Sequence, residues 1–306
     1  MMQTRLLSPD DRPALEGLLL REPEHNLFHL SALVEYGLAP AGDPYSGAWA
    51  MGVFRDGELA GVVMALRGTG GIYHTPGDAD TLDALTIAVR ERTTEGRISL
   101  LSGHETQVGA LLPFIRDVST NPADLCHFRT LRPDDLRLPQ QPGSPAYPAR
   151  LATADDMERL VDFYMVGFYS LARLPSRSAW RTRLSEQFAF RTLFLVEDAE
   201  GKVLSSALSS AEGGGCAMLG GVATLHEHRG KGLSTLCVGA LCDHLFRKGL
   251  GSVSLFYLVE NHVAGRVYEK LGFQDAGKWL LAPLGYAFNS FFRNQKSELR
   301  KLTSDF

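Results

Sequence analysis

The sequence predicts an α/β (α+β) chain built as two tandem units of one architecture. Three observations predict it. Arg5-Leu-Leu-Ser-Pro-Asp-Asp11 reappears as Arg150-Leu-Ala-Thr-Ala-Asp-Asp156, at an offset of 145 residues. Each copy is followed by a helical pattern and then by a strand hairpin. A proline-rich stretch separates the halves. Repetition on this scale reads as one layout used twice, and 306 residues suit two domains.

In each copy an edge strand runs into a helix cap, with Ser8 or Thr153 as N-cap and an acid three residues later. Leu15, Leu18 and Leu19 give the helix after the first copy; Leu160, Phe163 and Tyr164 give its counterpart. In Glu24-His-Asn-Leu-Phe-His-Leu30, Asn26 and His29 interrupt an apolar stretch. They read as a cap or as satisfied core contacts, or as a site. Trp49–Phe54 and Leu59–Leu66 flank an Asp56-Gly57 turn and make the first hairpin. Strands at Gly71–Thr75 and Arg97–Leu101 follow, with helices through Leu82–Val89 and Thr106–Ile115. Between them, Pro76–Asp80 carries two aspartates and no cation.

Arg132–Pro148 holds five prolines in seventeen residues and predicts an extended linker. The boundaries expected are a first domain over 1–135, a linker over 136–148, a second domain over 149–285 and a tail over 286–306. In the second half, Thr192–Glu197 and Val203–Leu208 make a hairpin, and Glu212–Gly215 is the tip of the next. Tyr164–Trp180 holds Phe168, Tyr169, Leu171, Leu174 and Trp180 with Arg173, Arg177 and Arg181. The aromatics read as pocket lining or as core; the arginines read as a seat for an anionic acceptor or as a solvated face. The tail holds Tyr286, Phe288, Phe291 and Phe292 and is expected to pack on a surface or a partner subunit.

The chemistry concentrates after the strand Ala217–Leu225. Arg229-Gly-Lys-Gly-Leu-Ser234 leads into a helix marked by Leu233, Leu236, Cys237, Ala240, Leu241 and Leu245. A helix start presents unpaired N–H groups and a positive dipole end, which suit phosphate. Gly230 and Gly232 allow close backbone approach, and Arg229 and Lys231 add charge. Walker A spacing is absent, and Thr235 stands where a dinucleotide loop needs its third glycine. Downstream, a strand at Ser252–Val259 leads into Glu260-Asn-His-Val-Ala-Gly-Arg-Val-Tyr-Glu-Lys-Leu-Gly-Phe273.

Together these stretches resemble the GNAT superfamily of acyl-CoA-dependent N-acyltransferases. Arg229, Gly232 and Ser234 fill its R-x-x-G-x-[GA] loop, with Ser234 a small departure. Asn261, Ala264, Tyr268, Gly272 and Phe273 fill its N-x-x-A-x-x-x-Y-x-x-x-G-F segment. The resemblance covers about residues 150–281. It implies two tandem GNAT-type domains, each a mixed, mostly antiparallel sheet flanked by helices, with the cofactor features lost from the first. It implies acetyl-CoA (coenzyme A) as co-substrate and no metal.

It also implies roles. The loop Arg229, Gly230, Lys231, Gly232, Leu233, Ser234 and Thr235 would hold the pyrophosphate. Val222, Ala223 and Thr224 would offer a strand edge to the pantetheine arm. Asn261 and Ala264 would hold that arm or fix the strand end. Tyr268 occupies the place of the general acid, or packs on the cofactor. No base is evident: Glu212, Glu260, His226 and His262 are near only in sequence. The acceptor would be an amine on a small molecule, peptide or protein. An acyl-CoA sensor without turnover is the competing reading.

Composition sets the remaining expectations. A net charge of −4 gives no reason for a nucleic-acid partner, and 44% hydrophobic with 22% charged residues suits a soluble globular chain. No membrane-length apolar run or signal-peptide core is evident. Cys126, Cys216, Cys237 and Cys242 lack C-x-x-C spacing and read as buried thiols of a cytoplasmic protein, possible homodimer included.

Overall fold

A computed structural model describes residues 2–39, 48–119, 122–139, 147–167 and 176–285. The first half of the chain forms β1 (Met2–Leu6), α1 (Arg12–Leu19), α2 (Leu27–Glu35), β2 (Trp49–Arg55), β3 (Glu58–Leu66), β4 (Thr69–His74), α3 (Ala79–Thr94), β5 (Leu100–His104) and β6 (Asp124–Leu131). The second half forms β7 (Ala149–Leu151), α4 (Met157–Gly167), α5 (Arg177–Phe190), β8 (Leu193–Glu197), β9 (Val203–Gly213), β10 (Cys216–Thr224), α6 (Leu233–Arg247), β11 (Ser252–Leu258), α7 (His262–Leu271) and β12 (Gln274–Pro283).

The chain divides into two compact units. Within the described residues the first comprises 2–128 and 276–285, and the second 129–275. The first sheet runs β1-β2-β3-β4-β5-β12 and the second β7-β8-β9-β10-β11-β6. In each, the early strands pair antiparallel, and one parallel pair, β4 with β5 or β10 with β11, stands near the end. Both sheets are therefore mixed and mostly antiparallel.

The units differ from the contiguous domains read from sequence. Trp279–Pro283 of β12 pairs antiparallel with Leu100–His104 of β5, so the end of the second half completes the first unit. Conversely β6, from the first half, stands beside β11. Both boundaries fall inside strands, where a composition shift leaves no mark. The sequence places a helix over Thr106–Ile115; here a π-helical turn, Glu105–Gly109, leads through a single helical step to a 3-10 turn at Leu112–Phe114. Pro113 and Gly109 explain the break, one lacking an N–H and the other a side chain.

Alternation along the strands builds the cores. In the first unit Val53, Val63 and Ile72 face Leu85 and Val89 of α3, while Val62, Met64 and Tyr73 face Leu15 and Leu18 of α1 and Leu30 of α2. In the second, Leu160 and Tyr164 of α4 and Leu241 and Leu245 of α6 share a core with Leu195 and Leu204. The hairpin turns take the conformations their residues suit: Asp56 and Gly57 both have positive φ, as do Gly214 and Gly215.

The repeated sequence produces one repeated contact. Arg5 holds Asp11 bidentately, at 2.8 and 2.6 Å, and Arg150 holds Asp156 at 2.8 Å through both nitrogens. Each aspartate also accepts the N–H of its cap residue, Ser8 at 2.8 Å or Thr153 at 2.9 Å. In the second unit Arg159 joins the pair, and Glu197 of β8 binds both arginines. The Arg150 guanidinium holds the Asp156 carboxyl far below the usual carboxylate range, against the cost of burial.

Because the folded pKa is depressed, this contribution is present at neutral pH and lost as pH falls below the unfolded value near 4. Asp156→Ala is expected to cost about 3 kcal/mol in urea unfolding at pH 7. The gap from wild type should close progressively on acidification. A gap independent of pH would contradict the ion-pair account.

Candidate active site

The site begins where two strands part. β10 and β11 pair only at Cys216–Ser252, Ala217–Val253 and Met218–Ser254, although β10 runs on to Thr224 and β11 to Leu258. On its other side β10 stays with β9 as far as Thr224–Ser205, with register shifts at Met218/Leu219 and Gly220/Ala223. Ser205 pins that end by donating to the Ala223 carbonyl at 2.9 Å. The edge of β10 over 219–224 is thus held from behind, and among the described residues no strand pairs with its front. Val222, Ala223 and Thr224 lie on it, half-buried.

From Thr224 the chain passes through a 3-10 turn, His226–His228, to the basic loop. The Arg229 Nε lies 3.5 Å from the Thr224 carbonyl, which folds the loop back over the strand end. Gly230 and Gly232 have φ of +75° and +78°, a region costly for other residues. Nothing lies within 4 Å of where a Cβ would stand on either, so the space ahead of both is open. Gly232 is the N-cap of α6 and supplies no side-chain cap. The first backbone acceptor within the helix serves Leu236, which donates to Gly232 at 3.0 Å. The amides of Gly232, Leu233, Ser234 and Thr235 are the helix's orphan donors. Leu233 is 2% and Thr235 9% exposed, so their side chains anchor the turn while Arg229 and Lys231 are exposed.

Tyr268 sits on α7, whose core-facing stripe is Gly265, Tyr268 and Leu271. Burial raises its pKa, so the phenol keeps its proton throughout the neutral range. Its ring packs against Phe273 at 5.6 Å and Tyr257 of β11 at 5.4 Å. Sequence reasoning missed Tyr257, although alternation with the buried Leu255 was the available signal.

Several expectations change on contact with the geometry. Asn261 is the N-cap of α7, and its Oδ1 accepts the Ala264 N–H at 3.1 Å. That amide is committed to the cap, leaving the Asn261 Nδ2 as the group able to reach a ligand. Glu212 is no free base: it accepts from Ser209 at 2.5 Å, Thr192 at 2.8 and 3.1 Å, and Lys248 at 3.0 Å. Burial pushes its pKa up, but these donors outweigh burial and the net shift is downward. Glu260, His226 and His262 are exposed.

Arg177 is bound by Asp162 and Glu158, and Arg181 by Glu158, across α4 and α5, so both serve helix pairing. Tyr164 and Trp180 stack at 4.9 Å with 2% and 3% exposure, which makes them core. Phe168, Tyr169, Leu171, Arg173, Leu174 and the aromatic tail lie outside the described residues. Asn26 stands at the N-cap position of α2 without a side-chain cap bond; its buried Nδ2 donates to the Leu19 and Glu22 carbonyls, while its Oδ1 has no partner among the described residues.

Residues 152–273 match the model of the acetyltransferase (GNAT) family. This segment is similar to the domain of that family. Solved structures are similar in fold over nearly the whole chain. A GCN5-related N-acetyltransferase from Sphaerobacter thermophilus is 17% identical with a TM-score of 0.61, covering 93% of this chain and 97% of that one. A GNAT-family acetyltransferase from Colwellia psychrerythraea is 15% identical with a TM-score of 0.59, covering 94% and 100%. A tandem GNAT protein from the clavulanic acid biosynthesis pathway is 15% identical with a TM-score of 0.61, covering 92% and 98%. None of the curated proteins matches. Among the described residues no cluster of His, Cys, Asp and Glu is arranged to hold a metal ion, and no helix is long and apolar enough to cross a membrane.

The cap at α7 is testable apart from any ligand. Asn261→Ala is expected to cost about 1 kcal/mol in chemical unfolding, and Asn261→Asp to restore most of it. Equal losses in both variants would contradict the capping role.

Proposed function

We propose that the second unit is an N-acyltransferase. It moves an acetyl or other acyl group from acyl-CoA directly to a primary amine, with both bound at once. The observation that carries this is a coincidence at one end of one sheet. The open edge of β10 and the uncapped, glycine-led start of α6 lie on consecutive segments.

The residues present fit the co-substrate. Pyrophosphate needs several convergent N–H donors and room for backbone approach, which Gly230–Thr235 supply with Arg229 and Lys231 alongside. An amide-bearing arm needs a strand edge to pair with, which 219–224 supply. Asn261 Nδ2 stands at the start of the adjoining helix. Acyl-CoA itself would bring the thioester that reacts. The chain's own chemical contribution is then proton management. Tyr268, kept protonated by burial, hands its proton to the departing sulfur. Glu212 being engaged, the amine gives its proton to solvent water. The acceptor is a small-molecule or peptide amine.

Tyr268→Phe keeps the ring and removes the hydroxyl. Acyl-CoA affinity should stay within a few-fold while turnover, followed by thiol release over a panel of amines, falls by roughly 10²–10⁴. The loss should shrink for donors with a more acidic leaving thiol. Normal turnover in the variant would make Tyr268 a packing residue. Tight binding with no thiol release from wild type would favour a sensor over an enzyme.

A further inference from the structure

The first unit has the same parting of strands. β4 and β5 pair only at Thr69–Leu100 and Gly70–Leu101, although β4 continues to His74 and β5 to His104. Behind it β4 stays paired with β3 to the last residue, His74–Gly61. His74 lies four residues beyond the last parallel pair, as Val222 does in the second unit.

In the first unit this edge is filled. The His74 N–H donates to Gln107 Oε1 at 3.0 Å, and Gln107 Nε2 donates to the His74 carbonyl at 3.2 Å. A carboxamide bonded to both groups of one residue makes the bond pattern of a neighbouring strand or a bound amide. Gln107 is 2% exposed, held in the π-helical turn after β5.

Two further groups stand along and just after the same strand. His29 of α2 lies against Gly71, where a Cβ would stand 2.7 Å from its Nε2 and 3.0 Å from the Ser102 carbonyl. Burial pushes the His29 pKa down to about 4, so it fills the space as a neutral ring. At the helix start, Asp78 replaces the anion. It caps α3 by accepting the Thr81 N–H at 3.2 Å and Thr81 Oγ1 at 2.7 Å, and it pairs with Arg55. Residues 75–77 alone join β4 to this cap, against 225–231 in the second unit. The sequence places Pro76–Asp80 where the basic loop should be; in the structure that loop is missing outright.

We infer that Gln107 is an intramolecular stand-in for the amide of an acyl-CoA arm, clasping the His74 edge and closing the first unit to such ligands. The comparison rests on the acyl-CoA reading of the second unit, but the clasp itself does not. A buried carboxamide spent on a strand edge costs the unit a ligand site and gives it a sealed sheet.

Amide hydrogen exchange on the full chain, read by NMR with and without coenzyme A, tests this. The His74 amide should be protected without ligand and unchanged by it. It should exchange about tenfold faster in Gln107→Ala, as loss of one net hydrogen bond implies. Gln107→Leu, which fills similar space but can neither accept from the His74 N–H nor donate to its carbonyl, should also accelerate it. Free exchange of His74 in wild type, or slowing on adding coenzyme A, would overturn the clasp. If His74 behaves as stated while the amides of 219–224 ignore coenzyme A, the clasp is supported and the acyl-transfer reading is what fails.

Discussion

The second unit depends on a parallel strand pair that is only three residues long. Beyond Met218–Ser254, β10 remains bonded to β9 but no longer to β11. An exposed edge inside a sheet is expensive unless something pairs with it, because its N–H and C=O groups need partners. The fold reserves that vacancy at the place where the chain then turns into an uncapped helix. Two sets of donors on adjacent segments are what the proposed acyl-CoA site draws on, and Tyr268 is fixed on α7 by its core stripe, against Tyr257 and Phe273.

The same constraint meets opposite outcomes in the two units. In the first, the edge is satisfied internally by Gln107 and the helix start by Asp78. In the second, the start of α6 carries no side-chain cap. Both units keep the frame that makes this possible, since the Arg5–Asp11 and Arg150–Asp156 pairs fasten the first strand to the first helix in the same way. Each sheet is completed by a strand from the other half of the chain.

Much of this was legible in the sequence. Turn chemistry and alternation placed both hairpins, and the repeated Arg–Asp spacing announced the duplication. The glycines at 230 and 232 announced a backbone that needs positive φ. What was not legible is non-local. Nothing in Gln274–Pro283 says that it pairs with β5, because alternation marks a strand without naming its neighbour. Gln107 is invisible for the same reason: its partner is 33 residues away and is backbone, which has no residue type to notice. Glu212 and the arginines of α5 looked available because sequence shows charge without showing counter-charge.

The two units differ at the parted strands: Gln107 bonds the His74 edge, while among the described residues no strand pairs with the front of 219–224. Isothermal calorimetry of the full chain with acetyl-CoA tests this difference most directly. The structure predicts a single binding event, one acetyl-CoA per chain. Two per chain would show that the first unit's cleft is open after all, and no binding would show that the β10 edge and the α6 start do not form an acyl-CoA site.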